Sequence, residues 1–395
     1  MPGVFPVRPE PVAILAAGVV TPIGGDLDAF WTGLLTGASG ISTIERFPVG
    51  DLRVQRGGEI KKLPSGGESA RGCRASRLLC AAADDLRARA PLAADRARIG
   101  VVVGTALGGV EALEDAVGGE RSLRAAAAGL YDSPAHTLAG RLGARGPVLT
   151  VSTACASGAS ALGLAADLLR ADRADLIVAG GYDGLCRFVM RGFDALRSLT
   201  RERIRPFDRR RSGLLLGEGA ALVLMARDAD VAGPRLGRLL GHASTSDATH
   251  VAAPDPSGRG LQHAIELALA QAGLDADAVE FVSAHGTGTP LNDRIETAVL
   301  KRVLGRRAAG VPVNSIKAGM GHTMGAAATL EAIMCLLAAR HGAIPHTLGF
   351  ESGDAECDLD YVPLRPRSAR PRVSLSTSLG FGGCNAALVL EGVVA

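Results

Sequence analysis

The strongest constraint on this chain is an alternation of short β-rich runs and helix-like segments that persists from one end to the other. Val12–Val20 is an apolar run closed by the turn signal Thr21-Pro22. Ile99–Val103 is a second run, followed by Gly104 and Thr105. Val148–Val151 leads directly into Ser152-Thr153-Ala154-Cys155. From Ala156 to Arg170 the apolar residues recur at helical spacing, with Leu162, Ala165, Ala166 and Leu169 on one face. Leu176–Ala179 then returns as a strand, closed by Gly180-Gly181.

Beyond that point the alternation continues. Leu261–Ala272 reads as an amphipathic helix stopped by Gly273. Val279–Ala284 reads as a strand running into His285-Gly286-Thr287-Gly288-Thr289-Pro290. Asn292 is placed to cap a helix over Asp293–Leu304, with an acid in its first turn. Val311–Ile316 leads to Lys317, Gly325–His341 is a long helix, and Val373–Ser376 and Ala386–Leu390 flank the glycine turn 380–383. The pattern predicts an α/β fold of two αβ halves, 1–232 and 233–395, meeting near Asp228–Arg235. The direct sequence echo between the halves is weak, so alternation alone does not establish a duplication.

Composition narrows the function. The 43 basic and 40 acidic residues leave a net charge of +3, too balanced for binding driven by nucleic-acid phosphates. Aromatics are only 3%, which argues against stacking on bases or sugars. The seven cysteines form no C-x-x-C pair, against both a disulfide framework and a zinc site. No basic segment followed by an apolar one opens the chain, and the longest apolar run, 324–339, contains Glu331. The expectation is a soluble protein of a reducing cytoplasm.

Three junctions carry reactive residue types. Cys155 sits where a strand turns into a helix, so unpaired N–H groups and the positive end of the dipole would stabilise a thiolate. The alternative is a buried cysteine packing as a small hydrophobe. His285 ends a strand and opens a Gly/Thr turn, and His322 follows Lys317 at another strand–loop–helix junction. Each could equally be a hydrogen-bonded turn histidine. Together, a Cys and a His suit acyl transfer, and a second His with a Lys would polarise an enolate or oxyanion. The glycines of Leu379-Gly380-Phe381-Gly382-Gly383-Cys384-Asn385 could free a backbone N–H as an oxyanion donor, or simply make a tight turn. His136, His242 and His250 are assigned to structure or surface.

The segments VSTACASGASALGLA, AHGTGTPLND and NSIKAGMGHTMGAAATLEAI resemble those of the β-ketoacyl-acyl carrier protein synthases, as do the N-terminal GVVTPIGGDLDAFWTGLLTGASGI and the C-terminal GFGGCNAALVL. The resemblance covers essentially the whole chain in the expected order. The third catalytic position is His322, as in the type I/II condensing enzymes. The resemblance implies a thiolase-like duplicated αβαβα fold in five layers. It implies an active site shared between the halves and a homodimer, or a heterodimer with a chain-length factor. Its substrates would be acyl and malonyl groups on an acyl carrier protein, handled with no metal or redox cofactor.

By the same resemblance Cys155 would be the acylated nucleophile. Its own N–H and that of Phe381 would form the oxyanion hole. His285 and His322 would bind the malonyl thioester carbonyl and stabilise its enolate. Lys317 would support the His322 loop, paired with Glu331. Thr287 and Thr289 would contact the phosphopantetheine arm, Glu296 would join the polar network behind the site, and Phe193 would line the malonyl pocket. Two departures bear on acyl choice. Leu379 stands where an aromatic is usual, and R-S-G-L with Ser212 and Leu214 replaces the usual R-D-G-F, as in specialised aryl-polyene ketosynthases. A competing reading is a non-catalytic chain-length partner. Such partners typically lack the nucleophile, so Cys155 argues against it. A thiolase is disfavoured by His322 in its GHTMGAA context.

Overall fold

The computed structural model describes residues 9–64, 72–119 and 123–393. Ten strands form one mixed sheet: β1 (Val12–Val20), β2 (Ile99–Gly104), β3 (Val148–Val151), β4 (Leu176–Asp183), β5 (Gly219–Arg227), β6 (Gly237–Ser246), β7 (Phe281–Ser283), β8 (Val313–Asn314), β9 (Val373–Gly380) and β10 (Cys384–Gly392). Their spatial order is β3-β2-β4-β5-β1-β6-β10-β9-β7-β8. The first five strands therefore run 3-2-4-5-1 from the outer edge inward, and the second five repeat that order from the opposite edge. In each set the outer three strands pair in parallel and the inner pairs are antiparallel. The sets join where Val12–Ile14 of β1 pairs with Gly237–Leu239 of β6.

Six principal helices repeat in the same way: α1 (Arg74–Arg89), α2 (Ser133–Leu142) and α3 (Ser157–Arg170), then α4 (Arg259–Ala272), α5 (Pro290–Leu304) and α6 (Ala327–His341). α3 and α6 pack on each other and on strands of both sets, so they form the middle layer. α1 and α2 cover the first set, and α4 with α5 covers the second. The result is five layers. Their sequences show why: α6 is buried on every face from Ala327 to Ala339, as a helix between the two strand sets must be. α3 buries Leu162, Ala165, Ala166 and Leu169 as its periodicity predicts, and its remaining small residues let the layers approach. A Cβ on Gly158 would lie 2.6 Å from the Gly325 carbonyl oxygen, so only glycine allows this contact between the halves.

Three local expectations are corrected. β4 does not close at Gly180-Gly181 but runs through to Asp183, pairing along its length with β5. Asn292 does not cap α5. The cap position is Thr289, Pro290 occupies the first turn, and Asn292 lies inside the helix with its amide donating to Asp293 Oδ1 at 3.1 Å. The helix expected from Gly325 begins with a tight 3-10 turn over Met324–Ala326. Among the described residues no helix is long and apolar enough to cross a membrane.

Candidate active site

The duplicated topology puts the reactive residues at matching places. Cys155 follows β3 and precedes α3, and His322 follows β8 and precedes α6. Both loops contain a non-glycine residue with positive φ, Ala154 at 51° and Met324 at 51°. Such strain costs about 1–3 kcal/mol each and persists only where surrounding bonds fix it. At the first loop Ser157 Oγ accepts the Thr153 N–H at 2.9 Å and lies 2.5 Å from the Ala154 carbonyl oxygen. At the second, the His322 N–H donates to the Leu215 carbonyl at 2.8 Å and Gly217 N–H donates to the His322 carbonyl at 3.0 Å.

His285 lies in the turn after β7. Its N–H and that of Gly286 donate to the two carboxylate oxygens of Glu296 at 2.7 and 2.9 Å. Thr377 Oγ1 donates to the same carboxylate at 2.7 Å. Asp293, one turn earlier on α5, accepts from Thr287 N–H and Gly288 N–H. Two buried acids thus shape the HGTGT turn, and burial pushes the Asp293 carboxyl up to about 6. Lys317 is also buried. Its ammonium donates to the His285 carbonyl oxygen at 2.5 Å and pairs with Glu331, so it ties the His285 turn to α6 from behind. It does not reach the cavity wall.

The cavity these loops enclose has a volume of about 450 Å³. Cys155, His285 and His322 share its wall with Thr287, Thr289 and Phe381. The two threonine hydroxyls are 2.9 Å apart. The histidine rings stand nearly perpendicular with centroids 5.2 Å apart. Phe193, also on the wall, stacks on Phe381 at 5.2 Å. The Phe381 backbone N–H favours the thiolate form of Cys155 and works against its burial. Leu379, Ser212 and Leu214, the residues of the two departures in sequence, all line the same cavity.

Burial, then the Lys317 charge, holds both imidazoles well below 6.5, so each is neutral and offers one N–H. Neither ring nitrogen of His322 has a hydrogen-bond partner, which leaves its donor free. The expected low-pKa thiolate at Cys155 is overturned. The side chain is 7% exposed, and burial pushes the thiol up to about 12 against the opposing pull of Lys317. The terminus of α3 contributes at most about 2 kcal/mol in such geometry and does not offset the lost hydration. Inactivation by iodoacetamide should therefore rise about tenfold per pH unit from pH 7 to 9, following the thiolate fraction. A plateau below pH 8 would contradict this.

Two residues escaped the sequence reading. His250 is not simply a surface residue: it lines the cavity, and its Nδ1 accepts the N–H groups of Ala252 and Ala253 at 3.0 and 2.9 Å. Asp183, at the end of β4, is fully buried and accepts four hydrogen bonds. Its only sequence signal was the double glycine before it.

Comparison with known proteins agrees with this arrangement. Residues 9–231 match the family model Beta-ketoacyl synthase, N-terminal domain, and residues 236–351 match Beta-ketoacyl synthase, C-terminal domain. The chain is 39% identical over 411 residues to the tetracenomycin polyketide synthase ketoacyl synthase alpha subunit of Streptomyces glaucescens, covering 96% of both chains. It is 34% identical over 405 residues to 3-oxoacyl-[acyl-carrier-protein] synthase 2 of a Synechocystis strain, covering 96% of this chain and 97% of that one. A solved structure described as the ishigamide ketosynthase/chain length factor superposes with a TM-score of 0.92 at 30% identity, over 98% of this chain and all of the other. By fold, cavity and sequence, this chain belongs to the β-ketoacyl synthase family.

Proposed function

We propose that this chain joins an acyl group, carried on Cys155, to a malonyl group on an acyl carrier protein, with loss of carbon dioxide. The reading rests above all on the convergence of Cys155, His285 and His322 on one cavity. The Cys155 thiol attacks the acyl thioester carbonyl, and the carrier's thiol leaves with the proton. The oxyanion faces the N–H groups of Cys155 and Phe381. The malonyl thioester oxygen then accepts the N–H groups of His285 and His322. Carbon dioxide leaves, and the charge remaining becomes an enolate held by those two donors. The enolate carbon attacks the acyl-Cys155 carbonyl, and collapse of the adduct expels the Cys155 thiolate, which takes a proton from water to regenerate the thiol. Neutral histidines suit this role because they stabilise the enolate without protonating it beforehand. Lys317, Glu296 and Glu331 position the two histidine loops, while Thr287 and Thr289 face the pantetheine arm.

We read the chain as two halves, 1–232 and 233–395, supported by the repeated strand order. A cytoplasmic location and assembly as a homodimer, or as a heterodimer with a chain-length factor, fit the same reading. Incubation with acyl- and malonyl-carrier thioesters should yield a 3-oxoacyl product and one carbon dioxide per turnover. Absence of product with every acyl donor would refute the reading.

Leu379 bears on which acyl group is taken. It lies on the cavity wall two residues before Phe381, where a branched aliphatic side chain leaves a different shape from a flat ring. Leu379→Phe should shift the ratio of kcat/KM for saturated over polyenoyl primers of matched length by more than about tenfold, or ~1.4 kcal/mol, toward the saturated one. Equal change in both would make Leu379 a packing residue only.

A further inference from the structure

Asp183 lies behind both loops that carry the chemistry and belongs to neither. Its Oδ1 accepts the Thr105 hydroxyl at 2.6 Å and the Leu107 N–H at 3.0 Å. Its Oδ2 accepts the Ala106 N–H at 2.9 Å and the Gly325 N–H at 2.7 Å. Among the described residues no cation pairs with it, and four donors compensate its burial.

The donors lead in two directions. Thr105 begins the loop after β2, and its carbonyl oxygen lies 3.1 Å from Ser157 Oγ, the hydroxyl that holds the strained turn around Ala154 and Cys155. Gly325 lies three residues beyond His322, in the loop strained at Met324. The fit is close on that side: a Cβ on Gly325 would meet Thr105 Cα at 2.7 Å and Asp183 Oδ2 at 2.8 Å. One carboxylate thus bridges the first half of the fold to the second at the level of the reacting groups. A neutral side chain cannot replace it, because an amide offers one acceptor oxygen where the site supplies donors on both sides.

We infer that Asp183 is a positioning residue, clamping the Cys155 turn and the His322 loop in register across the boundary between the halves. It touches no reacting atom. The inference rests on the ketosynthase reading, and its effect belongs in turnover, since the donors that hold the enolate move while the pantetheine contacts stay. A displacement of about 1 Å at such groups lowers rates by up to ~100-fold.

The test compares wild type with Asp183→Asn and with Thr105→Val, a same-size change that removes one of the four donors and tolerates folding better. Condensation and malonyl decarboxylation are measured below the Tm of each variant and normalised to folded enzyme. Asp183→Asn should lower kcat of condensation at least about tenfold, with KM for the malonyl substrate within about twofold. Thr105→Val should move kcat the same way by about threefold. A purely structural role would lower Tm and leave kcat per folded molecule unchanged. With wild-type condensation present in the same assay, kcat within twofold of wild type in whichever variants fold overturns the positioning role and leaves the ketosynthase reading standing. Absence of condensation in wild type would instead remove the reading on which the inference rests.

Discussion

Condensation by the Cys155→Ala variant should fall to background, a loss of several orders of magnitude, while malonyl decarboxylation should persist. The reason is the division of labour on the cavity wall. Removing a covalent nucleophile abolishes the acyl-enzyme route and leaves only the contribution of the remaining donors. In the proposed mechanism those donors, His285 and His322, serve the other half-reaction, and they retain their own supports in Glu296, Lys317 and the Leu215–Gly217 segment. Alanine at this position also fits the space, because the thiol is buried and makes no ion pair. Product release measured with acyl- and malonyl-carrier thioesters gives the first number, and carbon dioxide release from malonyl thioester alone gives the second. Full condensation in the variant would remove Cys155 from the mechanism.

His285→Ala and His322→Ala should each slow malonyl decarboxylation by at least about 100-fold, the scale of losing one preorganised donor to a developing oxyanion. Acylation of Cys155 should survive in part, because the proposed oxyanion donors for that step are the Cys155 and Phe381 backbone N–H groups. Both imidazoles titrate well below 6.5, so protonation would remove their neutral form only at acid pH. Wild-type decarboxylation should accordingly show no loss from histidine protonation between pH 6.5 and 8. Undiminished carbon dioxide release in both variants would refute the assignment.

Much of this site was legible in the sequence because its parts are local. A strand, a small-residue turn and a helix start are all visible around Cys155, and Lys317 lies one helix before its partner Glu331. What was not legible depends on distant packing. Asp183 accepts from Ala106, 77 residues away, and from Gly325, 142 residues away, so nothing near it announces four donors. His250 reaches the cavity because its loop is folded onto the β9–β10 turn, where Gly382 N–H donates to the Val251 carbonyl and Asp247 N–H to that of Gly383. The protonation of Cys155 is hidden from the sequence for a related reason. The helix terminus is a local feature, but burial is decided by both halves together, and burial dominates. The duplication shows the converse. Two strand sets share one order without a clear sequence echo, because many apolar sequences satisfy the same buried positions.

The central claim is that the acyl group travels on Cys155, and the most direct measurement is mass spectrometry of the chain after exposure to a panel of acyl-carrier-protein thioesters. One acyl group per chain should map to the Cys155 peptide, with none on the other six of the seven cysteines, and adding malonyl carrier protein should discharge it. The acyl masses that accumulate would also identify the preferred chain. Condensation proceeding while Cys155 remains unmodified, or an acyl group on a different residue that malonyl carrier protein discharges, would contradict the account.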